Sequence, residues 1–363
     1  MTILKDRLKR LISSAGPISV AEYMATCLFD PEAGYYTTRE PFGASGDFTT
    51  APEVSQMFGE LIAVWVYAAW QALGKPVPVT LAEIGPGRGT LMVDMLRTLD
   101  RLDPSFIALA RIALIEASPL LVEVQRERLA KGGRAKPRWV NSVEELDQTA
   151  LIIIGNELFD AIPTRQFVKT PQGWLERVVT LDDAGELVFA AGSAGIDPTL
   201  LPPDASAAPE GMIFEVAPAR SAVMDSIAHH IASNGGAGLF FDYGHLQPGL
   251  GDTLQAVRRH AFDDVLAHPG EADLTSHVDF SVLSAVAKVH GLEAVSGTQG
   301  KFLLGMGLLE RAGRIGSGAS PQVQERISGE VERLAGPQEM GNLFKVLAVS
   351  SPGVKLPPFS GAD

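Results

Sequence analysis

A cluster of glycines between residues 85 and 89 is the part of the sequence best suited to chemistry. Gly85, Gly87 and Gly89 follow the apolar run Val79–Ile84, and Pro86 lies between the first two glycines. Glycine lets the backbone turn sharply and approach a ligand closely, because no Cβ atom is in the way. A strand ending in such a turn, followed by a helix with free N–H groups, is typical of a nucleoside-binding site.

Two acidic residues accompany this turn. Glu83 lies near the end of the first strand, and Glu116 directly follows the apolar pair Leu114-Ile115. An acid at the end of the second strand hydrogen-bonds ribose hydroxyls in sites of this kind. Glu83 is expected either to bind an amino group of the ligand or to order the turn. A plain strand-to-helix turn with surface acids is the alternative, and the combined pattern favours ligand binding.

The spacing of the glycines distinguishes between cofactors. The order here is Gly-x-Gly-x-Gly, whereas dinucleotide sites use Gly-x-Gly-x-x-Gly to seat a pyrophosphate. S-adenosylmethionine has no phosphate but carries a sulfonium, an ammonium and a carboxylate. Acidic residues such as Glu83 and Asp47 suit its two positive centres. We therefore expect S-adenosylmethionine as the cofactor, bound by Glu83, Gly85, Pro86, Gly87, Gly89 and Glu116.

A second polar group follows the apolar run 151–154. Ligands of open α/β sheets bind beyond the carboxyl ends of the strands, so Asn156 and Glu157 are expected to face the cofactor and a methyl acceptor. Methyl transfer is an in-line displacement that depends on positioning and electrostatics. Glu157 is predicted to orient the guanidinium group of an arginine acceptor. Asn156 could instead cap a helix, and Asp160 is either a second catalytic carboxylate or a solvated acid.

A glycine-flanked polar loop, 43–50, contains Gly46 and Asp47. It is either an ordinary turn or a lid over the cofactor, with Asp47 near the charged end of the ligand. Thr50 and Glu53 have the spacing of a capping box. The sequence therefore predicts a buried apolar helix that begins here and continues to about residue 73.

From residue 79 onwards, short apolar strands alternate with helices, which predicts a doubly wound, mostly parallel α/β sheet. We expect strands at 79–84, 111–116, 138–140, 151–154 and 238–242, and helices at 90–99, 118–130, 218–232 and 280–290. Strands near 293–298 and 344–349 are predicted to close the sheet as a hairpin-like pair. The expected organisation is an N-terminal helical region (1–78), a main domain (79–350) with a β-rich insertion (164–215), an irregular segment (244–278) and a loose tail (351–363).

Composition excludes several classes of protein. The formal net charge is −13, so a nucleic-acid partner is not expected, because such binding depends on clustered Lys and Arg. The lone cysteine, Cys27, permits no disulfide within the chain and is expected in the core. We find no metal-ligand spacing and no transmembrane segment in the sequence, and expect a soluble intracellular protein.

Three further residues have candidate roles. Asp242 and Tyr243 are predicted to end the fifth strand and to line an acceptor pocket. His277, just before a predicted helix, is either a proton acceptor or a structural residue.

Taken together, the motifs of the chain resemble those of the MidA-like methyltransferase family, which includes a mitochondrial assembly-factor methyltransferase for respiratory complex I. The matching segments are 45–60, 83–91, 156–163, 241–244, 272–280 and 340–346. The resemblance implies a class I, Rossmann-like fold that uses S-adenosylmethionine. It also implies functional roles for Asp47 and Asn156.

The resemblance further implies an activity: symmetric dimethylation of arginine on a catalytic-core subunit of NADH:ubiquinone oxidoreductase. The expected location is the cytoplasm for a bacterial protein and the mitochondrial matrix for a eukaryotic one. Two alternatives remain from the residues alone, a non-catalytic assembly protein and a methyltransferase that acts on small molecules.

Overall fold

The structure is a computed structural model that describes residues 3–38, 49–131 and 136–359. Gly46 and Asp47 lie outside the described residues, and so does most of the predicted lid loop. The chain divides into two compact units, neither of which is continuous in sequence. The first contains Met1–Phe48, Phe159–Ala222 and Gln247–Asp279, and the second contains Thr49–Leu158, Val223–Leu246 and Phe280–Asp363.

The helices of the described residues are, in chain order, α1 (Ile3–Ala15), α2 (Val20–Phe29), α3 (Tyr35–Thr38), α4 (Ala51–Val54), α5 (Gln56–Ala72), α6 (Thr90–Leu102), α7 (Pro104–Leu109), α8 (Pro119–Ala130), α9 (Pro218–Asn234), α10 (Phe280–Val289), α11 (Gln299–Gly305), α12 (Leu308–Gly316), α13 (Pro321–Ala335) and α14 (Met340–Leu343). The strands are β1 (Ile18–Ser19), β2 (Val79–Ile84), β3 (Ala110–Ile115), β4 (Arg138–Val140), β5 (Ala150–Asn156), β6 (Arg165–Thr170), β7 (Gly173–Leu181), β8 (Leu187–Gly195), β9 (Ile213–Val216), β10 (Gly236–His245), β11 (Gln255–Arg258), β12 (Ala261–Asp263), β13 (Asp273–Thr275), β14 (Val278–Asp279), β15 (Glu293–Thr298) and β16 (Phe344–Ser350).

The second unit is built on a mostly parallel sheet with the strand order β15-β16-β10-β5-β2-β3-β4. From β10 to β4 neighbouring strands run parallel, and β16 alone runs antiparallel to both of its neighbours. All six residues of β2 are buried, as are the five central residues of β5. Strands buried on both faces form where helices cover a parallel sheet on both sides. The expected doubly wound α/β architecture is confirmed, including the pair formed by β15 and β16.

The first unit is smaller and contains antiparallel sheets. Strands β6, β7 and β8, which lie in the predicted β-rich insertion (164–215), form one sheet with β1 and β9. Its core packs buried side chains of α1 and α2, including Leu8 and Tyr23, against Val179 of β7 and Leu187 of β8. The N-terminal helices are therefore packed against the strands that follow residue 164.

Three predictions about secondary structure were wrong in their details. The helix expected to begin at Ala51 and run to residue 73 is interrupted at Ser55, whose extended backbone (φ −159°) ends α4 and caps α5. The segment 244–278 is not irregular throughout, because β11 pairs with both β12 and β13. Strand β10 runs beyond Asp242 to His245, since its antiparallel pairing with β16 continues to Tyr243.

The C-terminal residues up to 359 are packed rather than loose. Leu356 is buried in the core of the second unit, and Phe359 packs against the ring of Phe302 with centroids 6.0 Å apart. Among the described helices, none is both long and apolar enough to cross a membrane.

The central strand β5 gives a test of the core. Ile152 is fully buried, so Ile152→Ala should lower the free energy of unfolding by about 2–5 kcal/mol through lost burial and a cavity. Val289→Ala is the matched control because its side chain is 85% exposed, and its effect should stay within ~0.5 kcal/mol. Urea denaturation of both variants measures the difference, and equal effects would contradict the assignment of β5 to the core.

Candidate functional site

The glycine turn connects the end of β2 to the start of α6. Gly85, Gly87 and Gly89 have φ values of +66°, +52° and +77°, in the left-handed region that favours glycine. A Cβ atom on Gly85 would lie 2.9 Å from Cδ1 of Leu158. The turn is closed by the N–H of Gly89, which donates to the carbonyl oxygen of Pro86 at 2.7 Å. The glycines therefore allow the left-handed backbone conformation of the turn, and Gly85 also allows close packing against Leu158.

Glu83 is a buried acid beside this turn, with only 3% of its surface exposed. Burial raises the pKa of its carboxyl well above the usual value, the backbone N–H of Met92 in α6 opposes this shift, and the charge of Glu116 adds to it. Its Oε2 atom is inaccessible to solvent and has no hydrogen-bond partner among the described residues. A buried carboxylate with an unsatisfied oxygen is suited to a cationic or N–H-donating ligand group.

Glu116 is held in place directly after β3. Its N–H donates to the carbonyl oxygen of Val140 at 3.0 Å. Its two carboxylate oxygens accept from the Ser118 N–H at 2.8 Å and from Nε2 of Gln125 at 3.1 Å. Burial raises the pKa of this carboxyl, while the hydrogen bonds from Ser118 and Gln125 lower it. The acid is thus fixed in orientation before any ligand arrives.

A cavity of about 300 Å³ adjoins Glu116 and is lined in part by Trp139, Val140 and Asn141 at the end of β4. Its size and its mixture of apolar and polar groups suit a nucleoside. A larger cavity of about 480 Å³ lies at the amino ends of β2 and β3, around Thr80 and Arg111, and contains none of the predicted site residues.

Glu157 follows the last residue of β5 in an unusual backbone conformation. Its φ of +52° is in the left-handed region, which costs a non-glycine residue about 1–3 kcal/mol and is concentrated at functional sites. Its N–H donates to the carbonyl oxygen of Phe241 at 2.8 Å. Its Oε1 accepts from the Ala51 N–H at 3.3 Å and from Nδ2 of Asn156 at 3.0 Å.

Asn156 is a strand residue and does not cap a helix, because residues 158–163 form turns. The pairing of Asn156 with Phe241 of β10 explains why β5 extends this far. Its Oδ1 atom is buried and has no hydrogen-bond partner within the described part of the chain. Like Glu83, it therefore offers an unsatisfied oxygen.

These residues meet at one edge of the parallel sheet. The chain runs outward from β2 to β3 and β4, then returns to the other side of β2 as β5. The reversal places the ends of β2 and β5 side by side, with Ile84 opposite Gly155. Ligands of open α/β sheets bind at such a switch point. The structure thus brings together the glycine turn, Glu83, Glu116, Asn156 and Glu157.

Asp160 belongs to the first unit, where Arg220 organises its surroundings. The buried Arg220 guanidinium donates to the carbonyl oxygens of Asp160 at 3.1 Å and Ile162 at 3.1 Å. It also donates to the carbonyl oxygen of His277 at 2.7 Å and to Oγ of Ser276 at 2.5 Å. Asp160 is itself only 7% exposed, so the alternative of a solvated acid is wrong. The backbone of His277 thus has a structural role.

Of the other candidate residues, Asp242 and Cys27 are buried and Tyr243 is half-buried. Asp242 is fully buried, and its Oδ1 accepts from the Tyr243 N–H at 3.0 Å. The Tyr243 ring packs edge-to-face on Phe344, with centroids 5.5 Å apart. Burial raises the pKa of Cys27 to about 12, which confirms it as a core residue rather than a nucleophile.

Sequence reasoning missed the residues that support the turn from outside. Glu53 does not complete the predicted capping box, and Thr50 makes no side-chain cap hydrogen bond. Glu53 instead accepts from the Thr90 hydroxyl at 2.5 Å and pairs with Arg128. Gln125 on α8 was also missed, because its partners are distant in sequence. The available indication was that Gln125 is an uncharged polar residue within the largely charged stretch 123–128.

Comparison with known proteins identifies the family to which the chain belongs. The family model for S-adenosyl-L-methionine-dependent methyltransferases matches residues 61–297. The chain is 35% identical to the mitochondrial protein arginine methyltransferase NDUFAF7 of Danio rerio, covering 96% of this chain and 86% of the relative. It is 36% identical to the Mus musculus protein of that name, covering 93% and 82%.

A solved structure from Burkholderia thailandensis, bound to S-adenosyl-homocysteine, has 31% sequence identity and a TM-score of 0.81, with 97% of this chain and 92% of that chain covered. The fold is that of a Rossmann-like methyltransferase. The chain belongs to the family of S-adenosyl-L-methionine-dependent methyltransferases. S-adenosylmethionine is accordingly its cofactor.

The glycine turn predicts one clear loss of binding. Gly87→Val places a branched side chain at a φ of +52°, where it is strained, and should weaken S-adenosyl-homocysteine binding by roughly 100-fold or more. Gly291→Val is the control, since Gly291 has a comparable positive φ (+77°) and therefore similar backbone strain, but lies outside the glycine turn. Calorimetry should show normal affinity in the control only, and full affinity in Gly87→Val would refute the placement of the turn.

Glu83 predicts opposite effects on stability and binding. Because burial raises its pKa, the folded protein holds a proton there more tightly than the unfolded chain. The free energy of unfolding therefore falls as pH rises above the ordinary carboxyl pKa. Glu83→Gln should remove this fall and stabilise the ligand-free protein near pH 7, yet weaken binding of S-adenosyl-homocysteine.

Urea unfolding and calorimetry at about pH 4 and about pH 8, below and above the ordinary carboxyl pKa, measure the two effects of Glu83→Gln. Glu293→Gln, on an exposed position of β15, should alter neither. A destabilised Glu83→Gln variant at neutral pH would show that the buried charge is compensated in the folded protein.

Proposed function

We propose that this protein methylates arginine on a protein substrate, forming symmetric dimethylarginine on a catalytic-core subunit of NADH:ubiquinone oxidoreductase and aiding assembly of that complex. Two relatives that share more than a third of their aligned residues with this chain are named protein arginine methyltransferases. The structural observation that carries the proposal is the strained backbone of Glu157, next to the glycine turn.

A carboxylate is the appropriate partner for an arginine acceptor. The guanidinium group presents paired N–H donors that match the two oxygens of a carboxylate. Because Oε1 of Glu157 already accepts from Ala51 and Asn156, the carboxylate is held in one orientation. In our proposal, Glu157 binds the guanidinium so that one terminal nitrogen points at the methyl group.

The reaction is an in-line displacement at a methyl carbon. S-adenosylmethionine supplies the methyl group on a sulfonium. The arginine nitrogen forms a bond to that carbon, the carbon–sulfur bond breaks, and S-adenosyl-homocysteine is released. The nitrogen gives up one proton, so the methylated guanidinium keeps a single positive charge. The carboxylate of Glu157 stabilises this charge while a nearby base or water takes the proton.

The remaining site residues are assigned as proposals. Glu83 and the turn residues Gly85, Pro86, Gly87 and Gly89 would bind the amino acid end of the cofactor. Glu116 would bind the ribose, and Asn156 would lie between cofactor and acceptor. Gly46, Asp47 and Asp160 are proposed to complete the site, Asp47 and Asp160 as additional catalytic carboxylates.

The location of the protein depends on its source. We propose the mitochondrial matrix if the chain is eukaryotic, as the relatives are named mitochondrial proteins, and the cytoplasm if it is bacterial. The partner would be a protein and not a nucleic acid, in keeping with the net charge of −13.

The acceptor can be identified directly. Purified protein and labelled S-adenosylmethionine are added to a lysate of cells that lack this gene, and the products are separated by mass. Label in a protein, at symmetric dimethylarginine after digestion, supports the proposal. Label confined to small molecules would indicate a small-molecule methyltransferase. Absence of transfer by a protein that binds the cofactor would favour a non-catalytic assembly role.

Glu157 predicts a loss of transfer without loss of cofactor. Glu157→Gln keeps the size of the side chain but removes its charge, so methyl transfer should fall on the order of 100-fold while S-adenosyl-homocysteine affinity stays within ~3-fold. Glu210→Gln is the control variant, because Glu210 is exposed and distant in sequence from Glu157. It should retain full methyl transfer. Undiminished transfer by Glu157→Gln would remove Glu157 from the proposed mechanism.

A further inference from the structure

Gln125 is a buried amide in a helix of charged residues. Its neighbours in α8 include Glu123, Arg126, Glu127 and Arg128, but the Gln125 side chain itself is fully buried. A buried amide requires partners for its donors and its acceptor, since unsatisfied polar groups in the interior are costly. Its contacts therefore indicate what the residue does.

The amide joins three separate elements. Nε2 of Gln125 donates to the carbonyl oxygen of Gly87 in the glycine turn at 2.7 Å and to Oε2 of Glu116 at 3.1 Å. Oε1 accepts from the indole Nε1 of Trp139 on β4 at 2.9 Å. The Cβ position of Gly89 lies 3.4 Å from Cγ of Gln125, so the turn packs directly on this side chain.

Chemistry fixes which way the amide faces. An indole N–H can only donate, so Oε1 must face Trp139. A carbonyl oxygen and an ionised carboxylate only accept, so both N–H groups must face Gly87 and Glu116. In the reversed orientation, the amide N–H groups would face the indole N–H of Trp139, and the amide oxygen would face the Gly87 carbonyl and the Glu116 carboxylate. Trp139 thus orients Gln125, and Gln125 in turn orients the Gly87 carbonyl and the Glu116 carboxylate. Glu116 also lines the cavity of about 300 Å³ described above.

We propose that Gln125 is a positioning residue that locks the glycine turn to Glu116 and so sets the affinity for the adenosine moiety of the cofactor. This proposal rests on the cofactor site described above and not on the identity of the methyl acceptor. The effect is indirect, since Gln125 is fully buried and acts through the Gly87 carbonyl and the Glu116 carboxylate.

The charges around Gln125 determine how a substitution would behave. Glu116 is its direct partner, and the charge of Glu116 in turn raises the pKa of the Glu83 carboxyl on β2. Of the other charged groups of α8, Arg126 pairs with Glu123 and lies over the Trp139 ring, and Arg128 pairs with Glu53. Glu127 is exposed to solvent. A new carboxylate at position 125 would therefore meet mainly the carboxylate of Glu116.

Gln125→Glu is the central variant because it preserves shape. Its carboxylate could still accept from Trp139 but would oppose the Gly87 carbonyl and Glu116. At about pH 8, affinity for S-adenosyl-homocysteine should fall about 10- to 100-fold relative to the wild type. At about pH 6 the loss should shrink, because a proton shared by two neighbouring carboxylates restores a hydrogen bond.

Gln125→Met separates positioning from packing. It keeps the volume but has no amide, so its loss of affinity should be the same at both pH values. Gln322→Glu, an exposed Gln on α13, controls for the added charge and should bind as the wild type does. All variants are measured by calorimetry, as the ratio of variant to wild-type dissociation constants, and urea unfolding verifies that each variant is folded.

A thermodynamic cycle with Glu116→Gln completes the test. If Gln125 acts through Glu116, the losses in Gln125→Glu and Glu116→Gln will not add in the double variant. Additive losses, or a Gln125→Glu profile as flat as that of Gln125→Met, would overturn the proposal. If the wild type does not bind S-adenosyl-homocysteine, the assignment of the cofactor site is overturned instead. If the wild type binds it but transfers no methyl group, the proposed function fails, and the binding cycle still tests the role of Gln125.

Discussion

The enclosure of Glu83 between the end of β2 and the first turn of α6 is the constraint on which the site depends. Its carboxyl is removed from water, opposed by the charge of Glu116 and supported by a backbone N–H of α6. Burial of an ionised carboxyl is unfavourable unless a cationic or N–H-donating group pairs with it. The short glycine turn follows from the same constraint, since a longer connection would separate the helix N–H groups from the acid.

A second unfavourable feature, the left-handed backbone of Glu157, directly follows the neighbouring strand β5. Both positions are supported by β2 and β5, whose residues are buried on both faces of the sheet. A rigid, close-packed centre can hold a backbone conformation that an exposed loop would relax. The rest of the second unit can therefore be regarded as the support for a few unfavourable conformations at one edge. In enzymes, strained conformations are commonly concentrated at the functional site, while the surrounding scaffold is relaxed.

Local features of the site could be predicted from sequence, and features that join distant segments could not. The bounds of β2 and β4 follow from apolar runs and were predicted without error. The glycine turn and Glu116 are specified by spacing alone. In contrast, Glu53 pairs with Thr90 and Arg128, which are distant in sequence. The local sequence of α4 therefore does not predict these contacts. The extension of β10 likewise depends on pairing with β16, a hundred positions later in the chain.

The antiparallel strand β16 has a consequence for how the protein is made. It lies between β10 and β15 and comes from residues 344–350, almost at the end of the chain. During synthesis, the facing edges of β10 and β15 have no partner until this last strand leaves the ribosome. Open strand edges favour association between chains. Strand β16 thus closes two open strand edges at once, and we expect chains in which it has not yet paired to associate more readily.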